Sequence, residues 1–179
     1  MNSMNVTRGI GLMVALLVFL IDQGAKYYVT QSLGLSYEGA VLEVLSFFDL
    51  RYVENIGVSL GLMRATNDVI RWGLVLLTAA IACGVTWWMI RERKLPDVVA
   101  LGLVLGGALG NILDRVRFGY VVDFADLHFE MWFGQWRPFL VFNVGDAAIS
   151  IGVAILLIRA LFVREKPVTP DPVENEVNA

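Results

Sequence analysis

The stretch Trp72-Gly-Leu-Val-Leu-Leu-Thr-Ala-Ala-Ile-Ala-Cys-Gly-Val-Thr-Trp-Trp-Met-Ile90 carries no charge, and the basic segment Arg91-Glu-Arg-Lys-Leu95 follows at once. A second uncharged run, Val98 to Leu113, begins just beyond, with Pro96 suited to a first helical turn. A helix crosses the hydrocarbon core with roughly 20 mostly apolar residues, and these two runs meet that requirement unaided. Outward from them, Gly9 to Ile21 is wholly apolar or glycine, and Ala147 to Ile158 is nearly so. Both reach spanning length if Asp22, Lys26 and Arg159 sit at an interface. The expectation is an all-α integral membrane protein with four transmembrane helices, at about 9–29, 70–90, 96–114 and 145–163.

Composition agrees. The chain is 57% hydrophobic and 17% charged, against about 45–50% and about 25% for soluble domains, and its mean hydropathy is +0.65. A disordered chain is excluded. A net charge of −3 without a basic stripe argues against nucleic acid as a partner. The lone Cys83 excludes an internal disulfide or a cysteine cluster, and the lone His128 leaves little for a histidine-built metal site. The first run follows Arg8 as a signal peptide would, but no small-x-small cleavage site follows it, so it reads as a retained helix.

Short basic loops stay in the cytoplasm. Arg91, Arg93 and Lys94, together with Arg8, Arg159, Arg164 and Lys166, therefore place both termini there and turn residues 30–68 and 115–143 outward. Residues 1–166 form the membrane body, and the Pro- and acid-rich residues 167–179 read as a disordered cytoplasmic tail. Within the first outward loop, 41–48 and 49–53 carry strand-like residues, which predicts a small β-structured extracytoplasmic cradle between helices 1 and 2. Residues 62–71 could add a short interfacial helix.

Polar residues gather at the outward helix ends. Asp22 and Lys26 are one turn apart in the favourable acid-first order, and an interfacial anchor is the plain alternative. Asn111 and Asp114 share a helix face; Arg115 could be an anchor. Asn143-Val-Gly-Asp146 has the spacing of a capping box, which also sets Asp146 in the positive field of a helix N-terminus. Asp123, in the loop between helices, is flanked by Val122 and Phe124, where burial would raise its pKa. Two carboxylates in different environments suit acid–base hydrolysis, one activating water while the other holds a proton.

Other features have plainer readings. Gly102, Gly106 and Gly110 form a small-residue ridge for close helix packing. Gly57-Val-Ser-Leu-Gly61 matches a serine-nucleophile elbow, but the chain supplies only His128 as a partner base. His128, near Trp132, reads as part of an interfacial aromatic belt, and Trp87 and Trp88 as the opposite belt. A transporter with a relay through Asp22, Asp114 and Asp146 is the rival class, disfavoured because the acids cluster at one surface. A membrane scaffold would be indifferent to loss of both Asp123 and Asp146.

Gly106-Gly-Ala-Leu-Gly-Asn-Ile-Leu-Asp-Arg115 followed by Gly119-Tyr-Val-Val-Asp-Phe124 resembles the GGAxGNxxDR and GxVVDF signature of bacterial lipoprotein signal peptidase, signal peptidase II. Phe142-Asn-Val-Gly-Asp146 resembles its FNxAD box, Asp22-Gln-Gly-Ala-Lys26 its DxxxK motif and Asn55-Ile-Gly57 its NxG motif. The resemblance implies an aspartic endopeptidase of the bacterial cytoplasmic membrane that cleaves diacylglyceryl-modified prolipoproteins before the lipidated cysteine. It assigns Asp123 and Asp146 as the catalytic pair. Asn55, Gly57, Asn111, Asp114, Arg115 and Asn143 would shape the site, with Asp22 and Lys26 in support. The expected partners are prolipoproteins and membrane lipids, with the chain itself a monomer and no metal or organic cofactor. Ile56 stands where the family usually has threonine, Leu60 where phenylalanine is common and Gly145 where alanine is usual.

Overall fold

The computed structural model describes residues 3–57, 68–131, 134–136 and 138–162. Four helices are long and apolar enough to cross a membrane: α1 (Ser3–Tyr27), α2 (Asp68–Arg91), α3 (Leu95–Phe118) and α4 (Val144–Phe162). Among the described residues five strands complete the element order, β1 (Val41–Leu45) and β2 (Phe48–Asn55) after α1, then β3 (Val121–Leu127), β4 (Phe129–Met131) and β5 (Gly134–Trp136) after α3. Each helix overlaps its expected span. α1 runs on through one wide turn, Tyr28–Ser32, and α3 reaches four residues past the expected end. That extra turn of α3 closes at Gly119, whose φ of +92 suits glycine and whose N–H bonds to Arg115 O at 3.1 Å.

α3 is the central helix, packed against the other three. Its glycines are what let them approach. A methyl on Gly102 would fall 2.6 Å from the Gly11 carbonyl oxygen, one on Gly106 would strike the Ala15 carbonyl, and one on Gly107 the Gly145 carbonyl. The glycine ridge is therefore a packing surface against α1, and Gly107 beside it gives α4 the same close approach. Against this notched centre the outer helices keep long apolar side chains such as Leu16, Leu76 and Leu157 exposed, as helices facing hydrocarbon do.

The β-structure goes beyond expectation: β4 and β5 pair as a second, two-stranded sheet, and the first sheet draws on both outward connections. β1 and β2 realise the expected strands as an antiparallel hairpin, and β2 also pairs antiparallel with β3, a segment expected to be loop. The cradle is thus built from both long connections. β3 is buried almost throughout its length, so its sequence, with Asp123 and Asp126 set among apolar residues, lacks the alternation that marks a one-sided strand. Val29, Leu35, Ala40, Tyr52, Val122, Phe124 and Ala125 form the core between the sheet and the helix ends. Phe142 docks the entry to α4 on β3, exchanging two backbone hydrogen bonds with Ala125. Of the expected interfacial helix, 68–71 belong to the first turn of α2 and 62–67 lie outside the described residues, as do the serine of the elbow motif, Leu60 and the tail.

Candidate active site

Every polar residue singled out at the outward helix ends meets at the sheet end of the bundle. Asp22 and Lys26 are not interfacial anchors. They are 0% and 5% exposed, and Lys26 Nζ lies 2.8 Å from both Asp22 Oδ2 and Asp114 Oδ2 and donates to Asn111 Oδ1 at 3.2 Å. Asp22 Oδ1 accepts the Gly145 N–H at 2.8 Å, and Asp114 Oδ2 accepts the Val122 N–H at 3.2 Å. One buried ammonium with two carboxylates thus ties α1 to α3, to the start of α4 and to β3. Gln23, which the sequence reading passed over, adds bonds to Asp114 at 3.0 Å and Asp22 at 3.2 Å. Its only signal was its position inside the Asp22–Lys26 turn.

Resting on this base are two asparagines. Asn143 begins α4 as a reciprocal cap: its Oδ1 accepts the Asp146 N–H at 2.9 Å, and its own N–H reaches Asp146 Oδ2 at 3.3 Å. The capping and site readings therefore coexist, because Asn143 Nδ2 also donates to Asp123 Oδ1 at 2.6 Å and to Asn111 Oδ1 at 3.2 Å. Asn111 Nδ2 in turn donates to Asp146 Oδ1 at 2.8 Å. The second oxygen of Asp123 accepts Asn55 Nδ2 at 2.9 Å, and Asn55 Oδ1 accepts the Gly57 N–H at 2.9 Å, with Gly57 at φ +83. That turn needs glycine on two counts, the positive φ and the Leu74 side chain waiting 2.5 Å from where a methyl would be.

Asp123 and Asp146 consequently sit in different surroundings. Asp146 is in the first turn of α4, where the helix field favours a carboxylate. Asp123, 1% exposed on β3, is raised to about 6 by burial and then by the negative charge of Asp146, against the lowering effect of the Asn55 and Asn143 hydrogen bonds and of Lys26. Both line one cavity of about 590 Å³ whose other walls, Asn55 and Ser150 apart, are apolar, among them Phe139, Leu140, Phe142 and Ile151. Arg115 is half-buried nearby, its Nε without a hydrogen-bond partner among the described residues. The acids of the rival relay, Asp22, Asp114 and Asp146, share this one network and are not strung through the membrane. His128 departs from expectation. It is 4% exposed, buried just beyond β3 with its N–H on Phe47 O, and not at a surface belt.

Four helices able to span a membrane thus hold two carboxylates, bonded by amides, on one largely apolar cavity. Two solved structures, both titled as a bacterial membrane enzyme determined by the in meso method, share the fold. Each has a TM-score of 0.72 and 29% identity; the 1.9 Å structure is matched over 87% of this chain and 95% of the other, the 2.3 Å structure over 90% and 95%. Residues 14–162 match the family described as signal peptidase (SPase) II, and the chain belongs to that family. It is 52% identical over 174 residues to a lipoprotein signal peptidase of Rhizorhabdus wittichii, covering 97% of this chain and 96% of the relative. To the lipoprotein signal peptidase of Sphingopyxis alaskensis it is 53% identical over 156 residues, covering 87% of each.

Proposed function

We propose that this chain is the membrane endopeptidase that removes signal peptides from diacylglyceryl-modified prolipoproteins, and that it works by an aspartic mechanism through Asp123 and Asp146. The observation that carries the mechanism is the convergence of these two acids, from β3 and α4, on one apolar cavity through Asn111 and Asn143. The resting pair holds one proton, since two neighbouring carboxylates resist double ionisation. The raised pKa of Asp123 and the helix field on Asp146 support Asp123 as the proton holder.

In the reaction, water between the two attacks the scissile carbonyl and passes a proton to Asp146. Asp123 gives its proton to the carbonyl oxygen. The tetrahedral gem-diol then collapses: one of its hydroxyls returns a proton to Asp123 as the carbonyl re-forms, the C–N bond breaks, and the proton now on Asp146 goes to the departing amine of the lipidated cysteine. Asn55 and Asn143 hold Asp123 in place, Asn111 holds Asp146, and Gly57 sets the loop from which Asn55 reaches in. Asp22, Lys26 and Asp114 brace the helix ends, and Arg115 supplies a positive charge felt by Asp146, Asp123 and Asp114. The apolar wall takes the lipid and the adjoining peptide, because extended backbone can be exposed at membrane depth only where protein lines it.

The basic α2–α3 hairpin supports cytoplasmic termini and a site at the outer face of the bacterial inner membrane, with residues 1–166 as the working unit, acting as a monomer among membrane lipids. The test is cleavage of a diacylglyceryl-modified prolipoprotein by purified Asp123→Asn and Asp146→Asn variants. Both should lose activity while keeping the wild-type unfolding temperature within a few degrees. Substantial cleavage by either folded variant refutes the pair, and equal rates on unmodified substrate refute the lipid requirement.

A further inference from the structure

A second cluster of ionisable groups lies at the other end of the β2–β3 ladder, away from Asn55. Asp49 on β2 and Asp126 on β3 are register partners, and His128 just beyond β3 is held by its N–H on Phe47 O at 3.0 Å. The three are 6%, 1% and 4% exposed. Like charges directly opposite on an antiparallel pair are unfavourable, and Arg51, paired with Asp126, brings one positive charge to two buried carboxylates, whose burial calls for compensation. One oxygen of each carboxylate and one imidazole nitrogen lie within 4.8 Å of one another. His128 Nδ1 is 3.6 Å from Asp49 Oδ2, too far for a hydrogen bond, and is buried without a hydrogen-bond partner among the described residues. Two ligands each about 2.1 Å from a tetrahedral ion are about 3.4 Å apart. That separation suits two ligands of one ion better than a donor and acceptor sharing a proton.

We propose that Asp49, Asp126 and His128 form a binding site for one divalent zinc-class ion. A mixed imidazole–carboxylate set favours Zn²⁺ over Mg²⁺ or Ca²⁺, which take oxygen ligands. Arg51 Nε, 2.7 Å from Asp126 Oδ2, acts as the outer partner that fixes the orientation of the ligating carboxylate. The ion's role is structural. It pins the register of β2 against β3 on the strand that carries Asp123, and takes no part in the chemistry there.

The test uses the full chain purified in detergent, stripped with a chelator and then supplied with zinc chloride. Bound zinc is counted by mass spectrometry and thermal unfolding is followed in parallel. One zinc per chain and a rise of several degrees in Tm are expected. Asp49→Asn and His128→Gln should each lose both effects, while Asp123→Asn keeps both. If His128→Gln does not fold, X-ray absorption of the wild-type zinc should show an imidazole shell with oxygen neighbours. Less than half a zinc per chain in the wild type, an absorption spectrum without imidazole, or equal zinc in Asp49→Asn and wild type overturns the proposal.

Discussion

Replacing Asn143 separates the two tasks its side chain performs. As the cap of α4 it accepts the Asp146 N–H through Oδ1, and as a donor it holds Asp123 through Nδ2 at 2.6 Å. Alanine removes both. Loss of a cap costs about 1 kcal/mol, and well above pH 6, where Asp123 is ionised, loss of a hydrogen bond to a charged group costs about 1.5–3 kcal/mol, so Asn143→Ala should there be less stable by about 2.5–4 kcal/mol. Serine caps as well as asparagine but supplies no amide to Asp123, so Asn143→Ser should recover about 1 kcal/mol, or about 2–4 °C in Tm for a chain of this size. The two variants should nevertheless agree in pH dependence. In the wild type Asp123 must be protonated, so kcat/KM should fall as pH rises through about 6. The Asn143 bond lowers that value, and its removal raises it. With 1.36 kcal/mol per pKa unit and water replacing part of the lost bond, the alkaline limb should move up by about one pH unit in both variants. The assay is the pH profile of cleavage on a lipidated substrate, beside thermal unfolding in the same detergent. A limb that stays put or moves to lower pH would falsify the assignment of the proton to Asp123. Equal unfolding temperatures for serine and alanine would refute the cap.

Lys26→Met leaves Asp22 and Asp114 buried without their shared cation, which should cost about 3–5 kcal/mol. Unfolding should report that loss, and adding Asp114→Asn should recover part of it. Gly107→Ala drives a methyl into the Gly145 carbonyl and should cost about 1–3 kcal/mol by overpacking, whereas Gly84→Ala, with open space around it, should be neutral or slightly stabilising in the same measurement. Gly57→Ala meets a φ of +83 and the Leu74 side chain. Because Asn55 is held from that turn, cleavage should drop at least tenfold with little change in overall helix content by circular dichroism.

The amino-acid sequence by itself determined the four spans, because hydrocarbon imposes a length and a polarity that Trp72 to Ile90 and Val98 to Leu113 satisfy without reference to any neighbour. It also determined which polar side chains are exceptional, since an acid such as Asp22 or Asp123 is conspicuous only against an apolar background. The Asn143 cap was legible too, being a contact across three residues. Which of two readings held at each of these positions was decided by tertiary structure. Asp22 and Lys26 could have been a surface pair, and Asp114, Asn111 and Gly145, from two other helices, made them a buried junction. β3 could have been loop, because a strand buried on both faces loses the alternation that identifies strands, and only pairing with β2 distinguishes it. His128 looked like a belt residue until Asp49, far away in the chain, arrived 3.6 Å from it. Local sequence sets what each segment can be, while charges at membrane depth are tolerable only with partners, and those partners come from distant segments.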